Sequence, residues 1–315
     1  MTARMALRRL GGGLLVLWLV SLLTFLMVRL IPGDPAEVVA GENASVEDVN
    51  RIREQLGLNR PVVEQYFSWL GGVLRGDLGS SLFTHRPVTS TIVDAAPPTL
   101  ALTLTAIVLA VVIGVGAGVL AGLRQGGWLD RTISTVATLG IAMPSFWVAM
   151  LLVSVFSLSL KWLPATTYVP LERGFGIWLS HIIIPAIALG LATAAELARH
   201  TRGSVADVLT RPYIRTARSR GTGTVRLVRR HVLRNAAIPV VTVLGLQTSR
   251  LLGGTIVVEA VVGISGLGTL AVNSVLHRDY PVIQGYVLFC AVVVVVVNLV
   301  VDLAYGWINP KVRAS

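Results

Sequence analysis

The 315 residues are 54% hydrophobic and only 14% charged, with a mean hydropathy of +0.73. Soluble domains carry roughly 25% charged residues, and unbroken apolar runs of this length exclude a water-soluble core and place the chain in a bilayer. The net charge of +11 needs no nucleic acid to explain it. Cytoplasmic loops of membrane proteins are enriched in Lys and Arg, and no aromatic-rich reading motif accompanies these arginines. Cys290 is the single cysteine and lies inside the last apolar run, so neither an intrachain disulfide nor a thiolate metal cluster can form.

In chain order, Arg4, Arg8 and Arg9 precede the apolar stretch Leu10–Leu30, which is long enough to span. It runs into Arg29-Leu-Ile-Pro-Gly-Asp-Pro35 without a small-x-small cleavage site, and predicts an uncleaved first transmembrane helix in segment 1–31. Segment 32–98 carries five basic and nine acidic residues and is predicted to be an extracytoplasmic loop with short amphipathic helices. Ser45-Val-Glu-Asp48 has the form of a capping box, Val46, Val49, Ile52 and Leu56 share a helical face, and Gly57 suits a stop. After Pro61, the set Val62, Tyr66, Trp69, Leu70 and Val73 predicts a second amphipathic helix, resting on the membrane surface or on other loops.

Five further spans form the predicted core 99–307: Thr99–Gly122, Thr132–Leu160, Trp178–Leu197, Ala236–Val262 and Val282–Trp307. Continuous rather than alternating apolar runs make these helices and exclude a barrel. Pro144 and Pro185 each remove a backbone bond and should kink or break their helices unless neighbours compensate. Gly114, Gly118 and Gly122 recur every four residues, a face that suits either a subunit contact or close packing within one bundle. Short loops on one side hold seventeen basic residues against three on the other, which predicts cytoplasmic termini, including the tail 308–315.

Several chemistries are missing. A P-loop needs a lysine at the nucleotide phosphates, and the only lysines, Lys161 and Lys311, follow no glycine-rich loop. Ion coupling needs ionisable groups at depth. Arg250 is the deepest, with Glu196, Glu259 and Asp302 nearer span ends. These read as interfacial or structural charges; in an autonomous ion-coupled carrier, Arg250, Glu259 and Asp302 would be the gating charges. The five histidines, His85, His181, His200, His231 and His277, are scattered. No catalytic constellation is visible, so the chain is expected to be no enzyme.

The polar stretch Arg199–Arg234 (within the loop 199–235) holds ten arginines and one acid, Asp207. Pro212 suits a first helical turn and Gly221 a left-handed stop. Between them lie Tyr213, Ile214, small Thr216 and Ala217, and basic Arg215, Arg218 and Arg220. Small residues admit a close partner and the aromatic supplies an anchor. By composition alone, an ordinary turn obeying the positive-inside rule fits as well.

These residues resemble the "EAA" loop of ABC-importer permeases, EAA-x3-G-x9-I-x-L-P. Here it reads Arg215-Thr-Ala217, three residues, Gly221, nine residues, then His231-Val-Leu-Arg234. Tyr213-Ile-Arg-Thr-Ala-Arg218 and His231-Val-Leu-Arg-Asn-Ala236 are similar to the dipeptide/oligopeptide (peptide/nickel) branch. So are Pro32-Gly-Asp-Pro35, Leu56-Gly-Leu58, Gln65-Tyr66, Gly76-Asp-Leu-Gly-Ser80, Met143-Pro-Ser-Phe146, Asp279-Tyr-Pro281 and Asp302-Leu-Ala-Tyr305, in the order of that branch's B-type permease. Val262 and Ser265 stand where members tend to have Phe and Pro, and Asn309 replaces a usual aspartate.

The resemblance implies an all-α membrane protein with six transmembrane helices in the type I importer permease fold. It implies half of a peptide-transporting pore in a bacterial cell membrane, with a second homologous permease, two cytosolic ATPase subunits or domains and an extracytoplasmic solute-binding protein as partners. ATP and magnesium would be held by the ATPases, and no cofactor by this chain. ATPase coupling is expected at Tyr213, Ile214, Thr216, Ala217, Arg218 and Gly221, with Met143, Pro144, Ser145 and Phe146 as a possible pore or gate.

Overall fold

The computed structural model describes residues 3–30, 34–41, 44–165, 167–228 and 233–308. Pro32-Gly33, His231-Val232 and the tail from Asn309 lie outside the described residues, as do the side chains of Arg218 and Asp302. Backbone groups in hydrocarbon must bond within their own segment, and the described structure is helical. The helices are α1 (Ala3–Leu30), α2 (Pro35–Ala40), α3 (Val46–Gln55), α4 (Val62–Leu74), α5 (Val88–Leu123), α6 (Trp128–Ala142) and α7 (Ser145–Leu152). A π-helical turn, Val153–Ser159, continues α7. Then come α8 (Phe175–Thr210), α9 (Pro212–Ser219), α10 (Thr224–Leu227), α11 (Leu233–Val262), α12 (Leu267–Leu276) and α13 (Tyr280–Ile308). Contacts divide the chain into two units, Pro98–Ile264 with the described part of Val296–Ser315, and Ala3–Pro97 with Ser265–Val295.

In the first unit α5 and α8 meet backbone to backbone. A Cβ on Gly114 would lie 2.5 Å from the Ala194 carbonyl oxygen, one on Gly118 2.6 Å from that of Ala198, and one on Gly122 2.7 Å from Val205. Gly190 answers from α8, 2.8 Å from the Ala106 carbonyl oxygen. Of the two uses open to the glycine face, the structure takes packing within one bundle. The paired numbers rise together along both helices, so α5 and α8 run parallel. Parallel spans need a return crossing between them, and the pair α6 and α7, bent by 104°, supplies it. With the five continuous apolar helices, and the bent pair counted as one crossing, this makes six candidate spans among the described residues.

The bend falls at Pro144. The ring disfavours helical backbone in the residue before it, and Met143 is extended at φ −83°, ψ 127°. Pro185 instead lies inside the unbroken α8. It is buried on the face that packs Ile182, Ala186 and Leu189 against Leu102 and Ala106 of α5 and Leu251 and Val258 of α11.

In the second unit, α1 carries α4. Phe25 packs against Tyr66 and Trp69, and the Ser21 and Tyr66 hydroxyls are 2.9 Å apart. The loop helix thus rests on the first span. Ser45 caps α3 by accepting from the Asp48 N–H at 3.2 Å, and Gly57 ends the following turn at φ +64°. The span expected from Thr99 starts as helix at Val88, eleven residues earlier. Val88, Ile92 and Ala96 bury one face of that extension against Leu267 and Val282, which holds it helical up to Pro97-Pro98.

Candidate functional site

The site is built where α8 turns into α9. Arg211, preceding a proline, is extended at φ −64°, ψ 141°, and this ends α8. Pro212 then opens α9 at the position where its missing N–H costs nothing. The other end closes as a Schellman motif: Gly221 adopts φ +75° and the Thr222 N–H donates to the Ala217 carbonyl at 3.1 Å. Both ends of α9 fall where the sequence put them.

Its two faces divide the expected coupling residues. Ile214 is fully buried in a cluster with Val205, Val208 and Leu227, flanked by Val119, Leu123, Leu209 and half-buried Ala217. Ile214 therefore anchors α9 to its own bundle. Tyr213 (45% exposed), Arg215, Thr216 and Arg220 form the outward face. The signal for this split was present in the sequence: Ile214 and Ala217 are three apart and share a face, as do Tyr213 and Thr216.

The root of α9 is tied down by a pair that sequence reading missed. Arg202 of α8 donates through Nη2 to Asp130 Oδ2 at 2.7 Å and through Nε to Oδ1. Asp130 is buried in the first turn of α6, where a carboxylate suits the helix N-terminus. It also accepts from the Gly126 N–H at 2.9 Å. A bidentate guanidinium–carboxylate fork is among the stronger polar contacts. It fixes the start of α6 to α8 nearly three turns before α9.

The second expected set, Met143, Pro144, Ser145 and Phe146, lies at the far end of α6, fifteen residues or about 22 Å along it. The two sets do not meet, but one helix joins them. Pro144 and Phe146 are exposed at the bend, while Met143 packs on the core of the unit. Elsewhere in this unit Glu259 is fully buried and accepts from the Thr99 hydroxyl at 2.6 Å.

Comparison with known proteins follows the same lines. Residues 2–103 match the family described as the N-terminal part of a binding-protein-dependent transport system membrane component. Residues 114–314 match the family of binding-protein-dependent transport system inner membrane components. The chain is 45% identical to the glutathione transport system permease protein GsiC of Escherichia coli (strain K12), over 98% of each chain. The GsiC of Shigella flexneri serotype 5b (strain 8401) is 44% identical at the same coverage. A chain from an inward-facing structure of the MetNI methionine ABC transporter superposes with a TM-score of 0.58 at 19% identity, covering 69% of this chain and 96% of that one. That likeness concerns the fold, a type I importer permease bundle. The chain belongs to the binding-protein-dependent transport system inner membrane components, the permease subunits of ABC transporters.

Proposed function

We propose that this permease forms half of the pore of an importer for di- or oligopeptides or related solutes, and that α9 is the element through which a cytosolic ATPase drives it. The glutathione transport named for its relatives supports a short, peptide-like cargo. The excess of basic residues, seventeen against three, supports a cytosolic position for α9 and both termini. The pore is completed by a second homologous permease, and two ATPase subunits or domains hold ATP and magnesium. An extracytoplasmic binding protein delivers the solute.

The observation that carries this reading is the two-faced build of α9. Its outward face of Tyr213, Arg215, Thr216 and Arg220 is exposed, while Ile214 roots the helix among Val205, Val208 and Leu227. A push on the outward face therefore loads α8 directly, and through Asp130–Arg202 it loads α6 as well. ATP biases the pore only through a difference in binding to its two states, relayed at this contact. Family membership favours this over the autonomous ion-coupled carrier.

The test is co-purification and reconstituted uptake with Thr216→Trp, which adds bulk on the exposed face and leaves the anchor alone. The expected result is normal insertion and retention of the second permease, with the ATPases lost from the complex and uptake abolished. Normal ATP-driven uptake in correctly inserted Thr216→Trp protein would sink the coupling role.

A further inference from the structure

Helix α11 shows one exposed stripe: Thr242, Leu246, Arg250, Gly253, Val257 and Val261. The opposite face, including Leu251, Val258 and Val262, is buried. Arg250 is the charge on that stripe, its side chain 75% exposed. Within the apolar span Ala236–Val262 it stands fourteen residues from one end and twelve from the other. At 1.5 Å per residue these are about 21 and 18 Å, near the middle of a span that crosses a hydrocarbon core about 30 Å thick. A charged side chain at such a level faces the bundle interior or a water-filled cavity rather than lipid.

Two neighbours give the position its chemistry. Glu196 of α8, 21% exposed, approaches the Arg250 Nη1 to 3.7 Å. That distance is too long for a hydrogen bond, so the guanidinium fork keeps its donors available. On the next turn Gly253 presents bare backbone, and a Cβ there would meet nothing within 4 Å. Open space, a guanidinium suited to bidentate carboxylate binding and a carboxylate beside it thus occur together on one wall.

We propose that Arg250 and Glu196 form a site in the translocation pathway for zwitterionic solutes, with Arg250 taking a free carboxylate and Glu196 an ammonium. The proposal rests on the peptide-importer reading and deepens it by assigning a substrate feature to named side chains. The cargo presents opposite charges that the pair separates to receive. Removing Arg250 abolishes discrimination between a free and a blocked carboxyl terminus.

Two measurements on the complete transporter in proteoliposomes test it. The first compares uptake of a dipeptide with uptake of its C-terminal amide. Wild type should favour the free acid, and Arg250→Ala should lower free-acid uptake about tenfold, equal to about 1.4 kcal/mol, with little change for the amide. Arg250→Lys should fall between, and Glu196→Gln should instead weaken preference for the free amino terminus over its N-acetyl form. Equal loss for acid and amide, or no change for either, overturns the assignment. The second measurement is independent of cargo. In Gly253→Cys with Cys290→Ser, an anionic methanethiosulfonate should react faster than a cationic one, and adding Arg250→Ala should reverse the order. Lack of reaction with either reagent means the stripe faces lipid and the site is wrong. If uptake of both peptides is absent while labelling follows the expected order, the site stands and the peptide reading falls.

Discussion

Pro144 and Pro185 interrupt neighbouring spans of the same unit, yet the chain bends by 104° at the first and runs straight through the second. Each removes one helical hydrogen bond, at a cost of about 3 kcal/mol. The surroundings differ. Pro144 is exposed, although Met143 before it and Val148 and Ala149 after it pack on the core of the unit. Pro185 is buried, with Ile182, Ala186 and Leu189 packed on the same face against two other helices. A proline supplies the weak point, and burial of the proline itself separates the helix that stays whole from the one that breaks.

The comparison can be broken first at the packing that keeps α8 straight. Gly118→Ala places a methyl 2.6 Å from the Ala198 carbonyl oxygen and from Thr201 Cβ. It should destabilise the detergent-solubilised chain by on the order of 3 kcal/mol, read as a lower thermal midpoint. Gly116→Ala, whose methyl would meet nothing within 4 Å, is the control and should be near neutral. Equal midpoints for the two variants would refute the close seam.

A smaller effect is expected where α8 is tied to the bent limb. Asp130→Ala strands Arg202, which is a third exposed and so loses less than a fully buried ion would. The expected cost is about 2 kcal/mol. Asp130→Arg combined with Arg202→Asp should recover part of it, and a double variant no better than the worse single one would argue against a direct pair.

The prolines themselves should matter least to stability. Pro185→Ala regains a bond but loses ring contacts, for a net change within about 1 kcal/mol by thermal melting. A large shift in either direction would show that α8 is strained. Pro144→Ala should leave stability similar but alter shape. Spin labels at Arg131 and Leu158, in a Cys290→Ser background, should lie roughly 25 Å apart across the bend, against about 40 Å for a continuous helix. Movement toward the longer distance in Pro144→Ala would assign the bend to the proline ring, and no movement would assign it to packing.

Much of this architecture was legible. The apolar runs mark the spans, Ser45 and Gly57 bound α3, and Pro212 and Gly221 bound α9, because caps and stops depend on residues adjacent in sequence. What could not be read depended on which elements meet. The glycine period on α5 announces a close neighbour without naming α8. Nothing local distinguishes Pro144 from Pro185. Asp130 and Arg202 are 72 residues apart and become a pair only through the fold. Ile214 and Ala217, three residues apart, share the face that packs among Val205, Val208 and Leu227, and that spacing was legible.

The seam between α5 and α8 limits how this half of the pore can change shape. Its glycines recur every four residues on α5, and carbonyl oxygens of α8 sit in the gaps they leave. A slip of one residue, about 1.5 Å, would drive a side chain into backbone, and the next permitted register lies four residues or about 6 Å away. The contact is thus indexed and has no gradual slide available to it. The seam therefore predicts that α5 and α8 move together, and that any change of register between helices falls where the contacts are made by deformable side chains.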